Sequence, residues 1–268
     1  MTIETRTELR GTAHLRSLWA QDLPAFGLWS VLGDPVVAEL VAATDVDFAV
    51  VDLQHGFAAS GVLPTLLQAM RAGGMAPLVR VSWNEPAPIM RAVDSGAAGV
   101  IVPMVNSAPE ARAAVDACRF PPRGSRSWGP MWGGVRADGA PAPEVADAAL
   151  LCFVMVETQA GIDALEEIVA VPGLDGVFVG PNDLALSCGH ARATYRDSEA
   201  VARLLDRVIA ACTVGGVIPG LFCSDAEMAL HWAGRGARLL SATTDTGLLR
   251  QGVDALTAEL ARGAARGR

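Results

Sequence analysis

The sequence predicts a closed (β/α)8 barrel, the TIM-barrel architecture of the α/β class, and three observations support this. Eight short apolar runs alternate with helical stretches along the 268 residues. The runs are apolar throughout rather than alternating, which is typical of parallel strands covered on both faces. The chain length suits one such barrel. We therefore expect a single domain over residues 1–268, with residues 1–20 at its periphery.

The predicted strands are short segments rich in β-branched and other apolar residues. In chain order they are Phe26–Val31, Phe48–Leu53, Pro77–Val81, Val100–Val105, Leu150–Val156, Val177–Val179, Val217–Phe222 and Leu239–Thr243. The first strand is not followed by a glycine-rich phosphate loop, which disfavours a doubly wound open sheet.

The predicted helices carry apolar residues at three- and four-residue spacing. They are Ala58–Ala72, Pro86–Asp94, Pro109–Ala117, Gly161–Val169, Glu199–Ala211, Ala226–Ala233 and Asp245–Leu260. Start signals at Asp34-Pro35, Glu85-Pro86 and Ser224-Asp225 add support, because Asp and Ser cap helices and Pro suits their first turn.

The segment Phe120–Glu144 differs from the rest, since it is rich in Pro, Gly, Arg and Trp. It predicts a long loop with little regular structure, and such loops are usually functional or mobile. Because it falls between the fourth and fifth strands, we expect it at the end of the barrel where loops build active sites.

Composition excludes several classes of protein. The net charge is −8 with no basic patch, so nucleic acid is not an expected partner. All 21 basic residues are Arg, and a chain without Lys cannot form a lysine Schiff base. The longest apolar runs are about half of the ~20 residues that a membrane helix needs. The five cysteines form no Cys-x-x-Cys pair, so we expect reduced thiols and a cytoplasmic protein without a membrane partner.

Polar residues close four of the predicted strands, where barrel chemistry is located. Asp52 lies at the end of the second strand and His55 follows it. Arg80 lies in the third strand, Glu157 follows the fifth and Asp183 follows the sixth. Each has a structural interpretation that stays open. The two later acids suit helix starts, the Arg suits a core ion pair, and the His suits a structural imidazole.

Together these residues suit one chemistry. Two carboxylates without clustered His or Cys make an oxygen-rich site for Mg²⁺ or Mn²⁺, which a 2-oxo acid can chelate. Arg80 would stabilise the enolate oxygen, and His55 would move a proton near neutral pH. Backbone amides at Asn182 and Asp183 would hold the substrate carboxylate. The residues therefore predict a metal-dependent aldolase or lyase.

The same segments resemble a known family. They are Val51–Gly56, Val79–Arg80, Val154–Thr158 and Val177–Leu184, with further matches at Val102–Val105, Phe120–Gly124 and Asp245–Leu249. They closely resemble the HpcH/HpaI aldolases, which are class II pyruvate aldolases that include 4-hydroxy-2-oxoheptanedioate and 2-dehydro-3-deoxyglucarate aldolases. The resemblance runs from about Phe26 to Asp245 and implies a barrel of the phosphoenolpyruvate/pyruvate type.

The resemblance implies roles for the polar residues. Glu157 and Asp183 match the family's ligands for a divalent cation, Mg²⁺, Mn²⁺ or Co²⁺. Arg80 matches the arginine that stabilises the enolate, and His55 matches the general base. Asn182 falls where a backbone amide binds substrate.

Further positions follow from the resemblance alone. Asp94 falls where an acid from a neighbouring subunit raises the basicity of the histidine, and Asp52 lies beside that histidine to orient it. Trp29 and Leu221 fall at pocket walls. The resemblance also implies a trimer or hexamer in which the C-terminal helix, Asp245–Leu260, is exchanged between subunits.

The sequence departs from the family in two places near the site. Met155 stands where studied relatives have Gln, and Gln54 stands where some have Glu before the histidine. Trp128 and Trp132 in the long loop suggest a bulkier or more apolar pocket for the acceptor.

The resulting hypothesis is a reversible aldolase that cleaves a 4-hydroxy-2-oxo acid to pyruvate, or a related 2-oxo acid, and an aldehyde. Two alternatives stay open. One is another carbon–carbon lyase, synthase or oxaloacetate decarboxylase with the same metal-enolate site, including a CoA-thioester lyase. The other is a metal-binding barrel that holds a 2-oxo acid without turnover.

Overall fold

The computed structural model, which describes residues 11–137, 139–191 and 193–266, contains a closed barrel of eight parallel strands. Each strand pairs with the next along the chain, and β8 closes on β1. The strands are β1 (Ala25–Ser30), β2 (Phe48–Asp52), β3 (Ala76–Arg80), β4 (Gly99–Val102), β5 (Leu151–Met155), β6 (Gly176–Val179), β7 (Ile218–Phe222) and β8 (Leu239–Thr244). All eight predicted strands and the (β/α)8 architecture are confirmed.

Helices surround the barrel and connect successive strands. Those in the described residues are α1 (Thr12–Ala20), α2 (Pro35–Ala42), α3 (Leu63–Ala72), α4 (Pro86–Asp94), α5 (Ala108–Cys118), α6 (Pro143–Ala149), α7 (Gln159–Asp163), α8 (Leu165–Val169), α9 (Pro181–Ser187), α10 (Glu199–Gly215), α11 (Ala226–Gly234) and α12 (Asp245–Arg266).

The helix starts follow from local sequence. The Asp34 carboxylate accepts hydrogen bonds from the amides of Val36 and Val37 at 2.8 and 3.1 Å and so caps α2. Asp225 caps α11 in the same way, because its side chain accepts from the Met228 amide at 2.8 Å. Such caps satisfy amides that lack an acceptor within the helix.

Two helix predictions need correction. The predicted helix Gly161–Val169 is two short helices, α7 and α8, which meet at Ala164. The predicted helix Ala58–Ala72 begins only at Leu63. Helices α1 and α6 were not predicted.

Helix α1 closes the N-terminal end of the barrel instead of lying at its periphery. The Leu15 side chain is fully buried in the interior cluster of the barrel, and the Trp19 ring packs on Phe153 with 6.1 Å between centroids. His14 Nε2 is 2.8 Å from an oxygen of Asp47. The rest of the predicted peripheral segment, residues 1–10, lies outside the described residues.

The barrel interior is filled by aromatic rings set against glycines on the neighbouring strand. The register pairs are Gly27 with Phe48, Gly176 with Phe153 and Gly220 with Phe178. A Cβ atom added at any of these glycines would collide with its paired phenylalanine. The interior is therefore a packed core, as in other barrels of this type.

The long loop between α5 and α6, described over residues 119–137 and 139–142, lies at the N-terminal end of the barrel. Trp132 Nε1 donates to the carbonyl of Ser95, and Arg126 pairs with Asp94. Asp94 is the last residue of α4, and Ser95 follows it in the turn that leads to β4. The expectation that the loop joins the active-site end is therefore wrong within one chain, because α5 first returns the chain to the opposite end.

Helix α12 packs on the barrel only where it begins. The buried Asp245 carboxylate accepts hydrogen bonds from the amides of Val31 and Leu32 and from the Ser30 hydroxyl, at 3.0–3.2 Å. From Leu248 to Ala264 every residue is exposed. One face carries the apolar stripe of Leu249, Val253, Leu256 and Leu260, which is 50–64% exposed.

The five cysteines are free thiols, and four of them are buried. In the part of the chain that the structure describes, no helix combines the length and apolar character needed to cross a bilayer.

Candidate active site

A cavity of about 240 Å³ opens at the C-terminal end of the barrel. Its lining comes from the ends of several strands and the residues that follow them. These residues are Trp29, Val31, Asp52, His55, Arg80, Met155, Gly180, Pro181, Asn182, Asp183, Phe222 and Thr244. Seven of the residues singled out in the sequence therefore meet in one place: Trp29, Asp52, His55, Arg80, Met155, Asn182 and Asp183.

Asp52 and Arg80 form a buried ion pair on the cavity wall. Arg80 Nε donates to Asp52 Oδ1 at 2.9 Å, and Nη2 donates to Oδ2 at 2.5 Å. This two-point contact fixes the plane of the guanidinium group. The register explains the meeting, because Asp52 and Arg80 are paired residues at the ends of β2 and β3.

Asp52 also holds the backbone beyond β2. Its Oδ1 accepts from the amides of Gln54 and His55 at 3.0 and 3.1 Å, and Oδ2 accepts from Trp29 Nε1 at 3.1 Å. Burial opposes ionisation of Asp52, but the hydrogen bonds and charge of Arg80, with the Trp29 and His55 contacts, hold its pKa below the ordinary value. Its contact with His55 is therefore to the main chain.

Trp29 forms an aromatic wall beside this pair. Its ring lies 5.0 Å from the Arg80 guanidinium carbon, and its centroid lies 5.5 Å from those of Phe178 and Phe222. A guanidinium group near an aromatic ring is stabilised by the ring's quadrupole. Trp29 therefore constrains Arg80 in two ways: its ring contacts the guanidinium group, and its Nε1 donates to Asp52, the residue that pairs with Arg80.

Glu157 is buried next to the cavity, at the end of β5. Its Oε1 accepts a hydrogen bond from the Met104 amide at 2.8 Å. Burial is the main reason why the pKa of Glu157 is raised. The nearby charge of Asp183 also raises it, whereas the Met104 amide and Arg80 lower it.

Gly180 brings the two predicted metal ligands together. A Cβ atom added there would lie 2.6 Å from Glu157 Oε2, 3.2 Å from Met155 Cε and 3.8 Å from Asp183 Oδ2. Both carboxylates thus approach one point that only glycine leaves open. Two negative carboxylates near one point repel each other, and Glu157 has no salt-bridge partner among the ion pairs of the described residues. A cation bound at this point would relieve that repulsion.

The donor set fits a hard divalent ion. Two carboxylates provide oxygen ligands, and the remaining positions are left to water and to substrate oxygens, as is usual for Mg²⁺. Within residues 11–137, 139–191 and 193–266, no group of three or more His, Cys, Asp or Glu side chains is placed to hold a metal. A self-sufficient structural metal site of that kind is therefore absent from the described chain.

His55, Asn182 and Asp183 lie at the mouth of the cavity and are exposed. Asn182 and Asp183 stand in the first turn of α9, where backbone amides lack intrahelical acceptors. Because His55 is exposed and lines the cavity, it is accessible to a substrate.

Leu221 is not at the cavity. Its side chain is buried in the outer core between the barrel and the helices, and its neighbour Phe222 lines the cavity instead. Successive residues of a strand point to opposite faces of the sheet. An error of one residue in the prediction therefore assigns a residue of the outer core to the cavity wall. Met155, Gly180 and Thr244 also line the site. Met155 stands out in the sequence as a departure from the family and Gly180 by its place before Pro181, whereas Thr244 has no sequence signal.

Asp94 lies at the opposite, N-terminal end of the barrel, where a second cavity of about 700 Å³ opens. Its Oδ1 accepts from Arg126 Nη2 at 2.7 Å. Trp128, Trp132 and Arg136 line that cavity too, so the long-loop tryptophans are remote from Arg80 in one chain.

Comparison with known proteins identifies close likenesses. The model of the family described as HpcH/HpaI aldolase/citrate lyase matches residues 25–252. A hydroxypyruvate/pyruvate aldolase of Rhizorhabdus wittichii is 33% identical over 235 residues, which are 88% of this chain and 93% of that protein. A 4-hydroxy-2-oxo-heptane-1,7-dioate aldolase of Salmonella arizonae is 35% identical over 244 residues, covering 88% and 89%.

A solved structure agrees with these matches. An HpcH/HpaI aldolase/citrate lyase family protein from Burkholderia cenocepacia superposes with a TM-score of 0.83 at 32% identity. The superposition covers 97% of this chain and 99% of the other.

Proposed function

The chain belongs to the HpcH/HpaI aldolase/citrate lyase family and is a carbon–carbon lyase of the aldolase type, and from this premise we propose that its activity depends on a divalent metal. The proposed reaction is reversible cleavage of a 4-hydroxy-2-oxo acid into pyruvate, or a related 2-oxo acid, and an aldehyde.

One observation carries the proposal: Glu157 and Asp183 approach a common point at Gly180 in the cavity that Arg80 also lines. Glu157 Oε2 and Asp183 Oδ2 would hold the cation there. When bound, a divalent cation supplies Lewis acidity toward the keto and carboxylate oxygens of a 2-oxo acid.

The side chains of this protein would handle charge and protons. Arg80 is held rigidly by Asp52, so its donors are oriented in advance toward the negative charge that develops on the C2 oxygen. His55 would take the proton from the 4-hydroxyl group while the C3–C4 bond breaks. The aldehyde leaves, and the enolate of the 2-oxo acid is then protonated at C3.

The cavity favours a small donor acid. Its volume of about 240 Å³ is below the ~300–1,000 Å³ typical of sites for drug-sized ligands. The two related aldolases named above act on hydroxypyruvate, pyruvate or a C7 oxo diacid by their names, so pyruvate and hydroxypyruvate are the first donors to test.

The test is deuterium exchange into the methyl group of pyruvate, followed by proton NMR in D₂O with Mg²⁺, Mn²⁺ or Co²⁺ and again with EDTA. We expect exchange that requires metal and is lost in Glu157→Gln. Exchange that persists in EDTA would contradict the metal site. Absence of exchange with every metal would contradict a pyruvate enolate.

A parallel assay separates the alternative reactions. Oxaloacetate is supplied with and without aldehydes, and both decarboxylation and adduct formation are followed. An adduct with an aldehyde supports the aldolase. Decarboxylation without any adduct would favour a decarboxylase that uses the same site.

We also propose that the active assembly is a homo-oligomer, a trimer or a hexamer. The exposed stripe of Leu249, Val253, Leu256 and Leu260 on α12 supports this, because a projecting apolar helix face is stabilised by burial against a partner. A second copy would bring its Asp94 to His55, since the two residues lie at opposite ends of one barrel. Sedimentation velocity tests the oligomeric state.

A further inference from the structure

The loop that follows β4, residues 103–107, contacts Glu157 through a backbone group in an uncommon conformation. Met104 has φ +58°, in the left-handed region that L side chains rarely adopt. This conformation directs its amide to Glu157 Oε1 at 2.8 Å. The other carboxylate oxygen, Oε2, remains beside Gly180.

Asn106 braces this conformation through both ends of its side-chain amide. Its Nδ2 donates to the Met104 carbonyl at 2.9 Å. Its Oδ1 accepts from the hydroxyl of Thr158, the residue that follows Glu157. One side chain therefore ties the strained residue of the loop to Thr158, the N-cap residue of α7.

The base of the loop is fixed independently. The backbone amide of Asn106 donates to Glu110 Oε2 at 2.6 Å, and Ser107 caps α5 by accepting from the Glu110 amide. This arrangement resembles a capping box, in which cap and acid satisfy each other's amides. Because it uses only the Asn106 main chain, it survives truncation of the side chain.

We infer that Asn106 is a positioning residue for Glu157. By keeping Met104 in the left-handed conformation, it holds Oε1 in place and presents Oε2 to the point shared with Asp183. Without the brace, the Met104 backbone relaxes toward a common conformation and its amide leaves Glu157. The inference rests on the proposed function only in taking Glu157 as a ligand of the cation.

The test measures Mn²⁺ affinity directly, by EPR titration of free Mn²⁺ against the purified protein. Loss of a group that orients a metal ligand typically costs 10–100-fold in affinity. We expect Asn106→Ala to weaken binding by about 10-fold or more. The matched control is Asn84→Ala, which loses one hydrogen bond to the Glu110 carbonyl, at 3.1 Å, but no link to Glu157.

A second pair of variants approaches the brace from its other end. Thr158→Val removes the hydroxyl that bonds Asn106 and that also caps α7 by accepting from the Gly161 amide at 3.0 Å, whereas Thr158→Ser retains both contacts. Both variants are judged by Mn²⁺ affinity together with the thermal midpoint of unfolding. Thr158→Val should weaken binding as Asn106→Ala does, and Thr158→Ser should bind like the wild type.

The outcomes distinguish this inference from the proposed function. If Glu157→Gln abolishes Mn²⁺ binding but Asn106→Ala and Thr158→Val both keep the wild-type affinity for Mn²⁺, the positioning role of Asn106 is overturned. Equal losses in Asn106→Ala and Asn84→Ala would also overturn it, because they would indicate a general effect on the fold. If the wild type binds no Mn²⁺, the proposed function itself fails.

Discussion

Replacing Asp52 by Asn tests whether the buried ion pair organises the site. The substitution preserves shape and an acceptor oxygen for the Gln54 and His55 amides. It removes the charge that faces Arg80, and a side-chain NH₂ group would meet Nη2 at the present 2.5 Å contact. Leaving one buried charge without its partner costs about 3–5 kcal/mol. Because Asn retains part of the contacts, we expect a loss of about 3 kcal/mol in the free energy of unfolding.

Activity should fall as well, because Arg80 loses its fixed orientation. A displacement of about 1 Å in a catalytic group can lower the rate about 100-fold, and we expect a loss in kcat of that order. The assays are urea unfolding at neutral pH, followed by circular dichroism, and metal-dependent deuterium exchange of pyruvate. The control is Asp22→Asn, which breaks the exposed pair with Arg238 and should change stability little.

The pH dependence supplies a further check on the same pair. The pKa of Asp52 is lower in the folded protein, so its stabilising contribution is complete above about pH 4 and is lost as pH falls through the folded pKa. Asp52→Asn should lack this acid-induced loss. An unfolding free energy for Asp52→Asn equal to that of Asp22→Asn, with wild-type exchange rates, would refute the reasoning.

Three further predictions concern the carboxylate pair and helix α12. Burial raises the pKa of Glu157, so metal-free wild type should lose stability as pH rises above about 4, whereas Glu157→Gln should not and should melt higher at neutral pH. Added Mn²⁺ should stabilise only the wild type, and equal shifts in both would contradict the ligand assignment. Gly180→Ala should weaken Mn²⁺ binding about 10-fold or more, because its Cβ would lie 2.6 Å from Glu157 Oε2. Leu256→Glu, on the apolar stripe, should reduce the sedimentation coefficient of the assembly, and an unchanged value would count against the stripe as an interface.

Two of these variants, Gly180→Ala and Leu256→Glu, have a matched control in the chain. Gly61→Ala adds a Cβ atom where no heavy atom lies within 4 Å, so it should bind Mn²⁺ like the wild type. Ala258→Glu places the same charge on the opposite side of α12 from Leu256, and it should leave the assembly intact. Equal effects in a variant and its control would point to a general disturbance of the fold.

The sequence was sufficient to predict the strands and the convergence of the polar residues. Strands such as β2 and β5 are apolar along almost their whole length, because both faces of a barrel strand are covered. Polar residues that end neighbouring parallel strands must meet at one rim, which is why Asp52 and Arg80 could be grouped before their contact was seen. Their catalytic roles stay predictions.

The remaining errors have physical causes. The face of Leu221 depends on a one-residue register that a uniformly apolar run does not encode. The end of the barrel that the long loop occupies depends on the direction of the helix before it, which apolar periodicity does not reveal. The contact of Met104 with Glu157 depends on a backbone angle, and Met carries no signal for a positive φ.

The glycine–phenylalanine pairs inside the barrel constrain how this chain can diverge from its relatives. A larger residue at Gly176 has no room while Phe153 is present, and a smaller residue at Phe153 leaves a void beside Gly176. Neither position can drift alone without a cost in stability. Substitutions should therefore accumulate as compensated pairs across adjacent strands. Among relatives of this chain, the two positions of such a pair should covary.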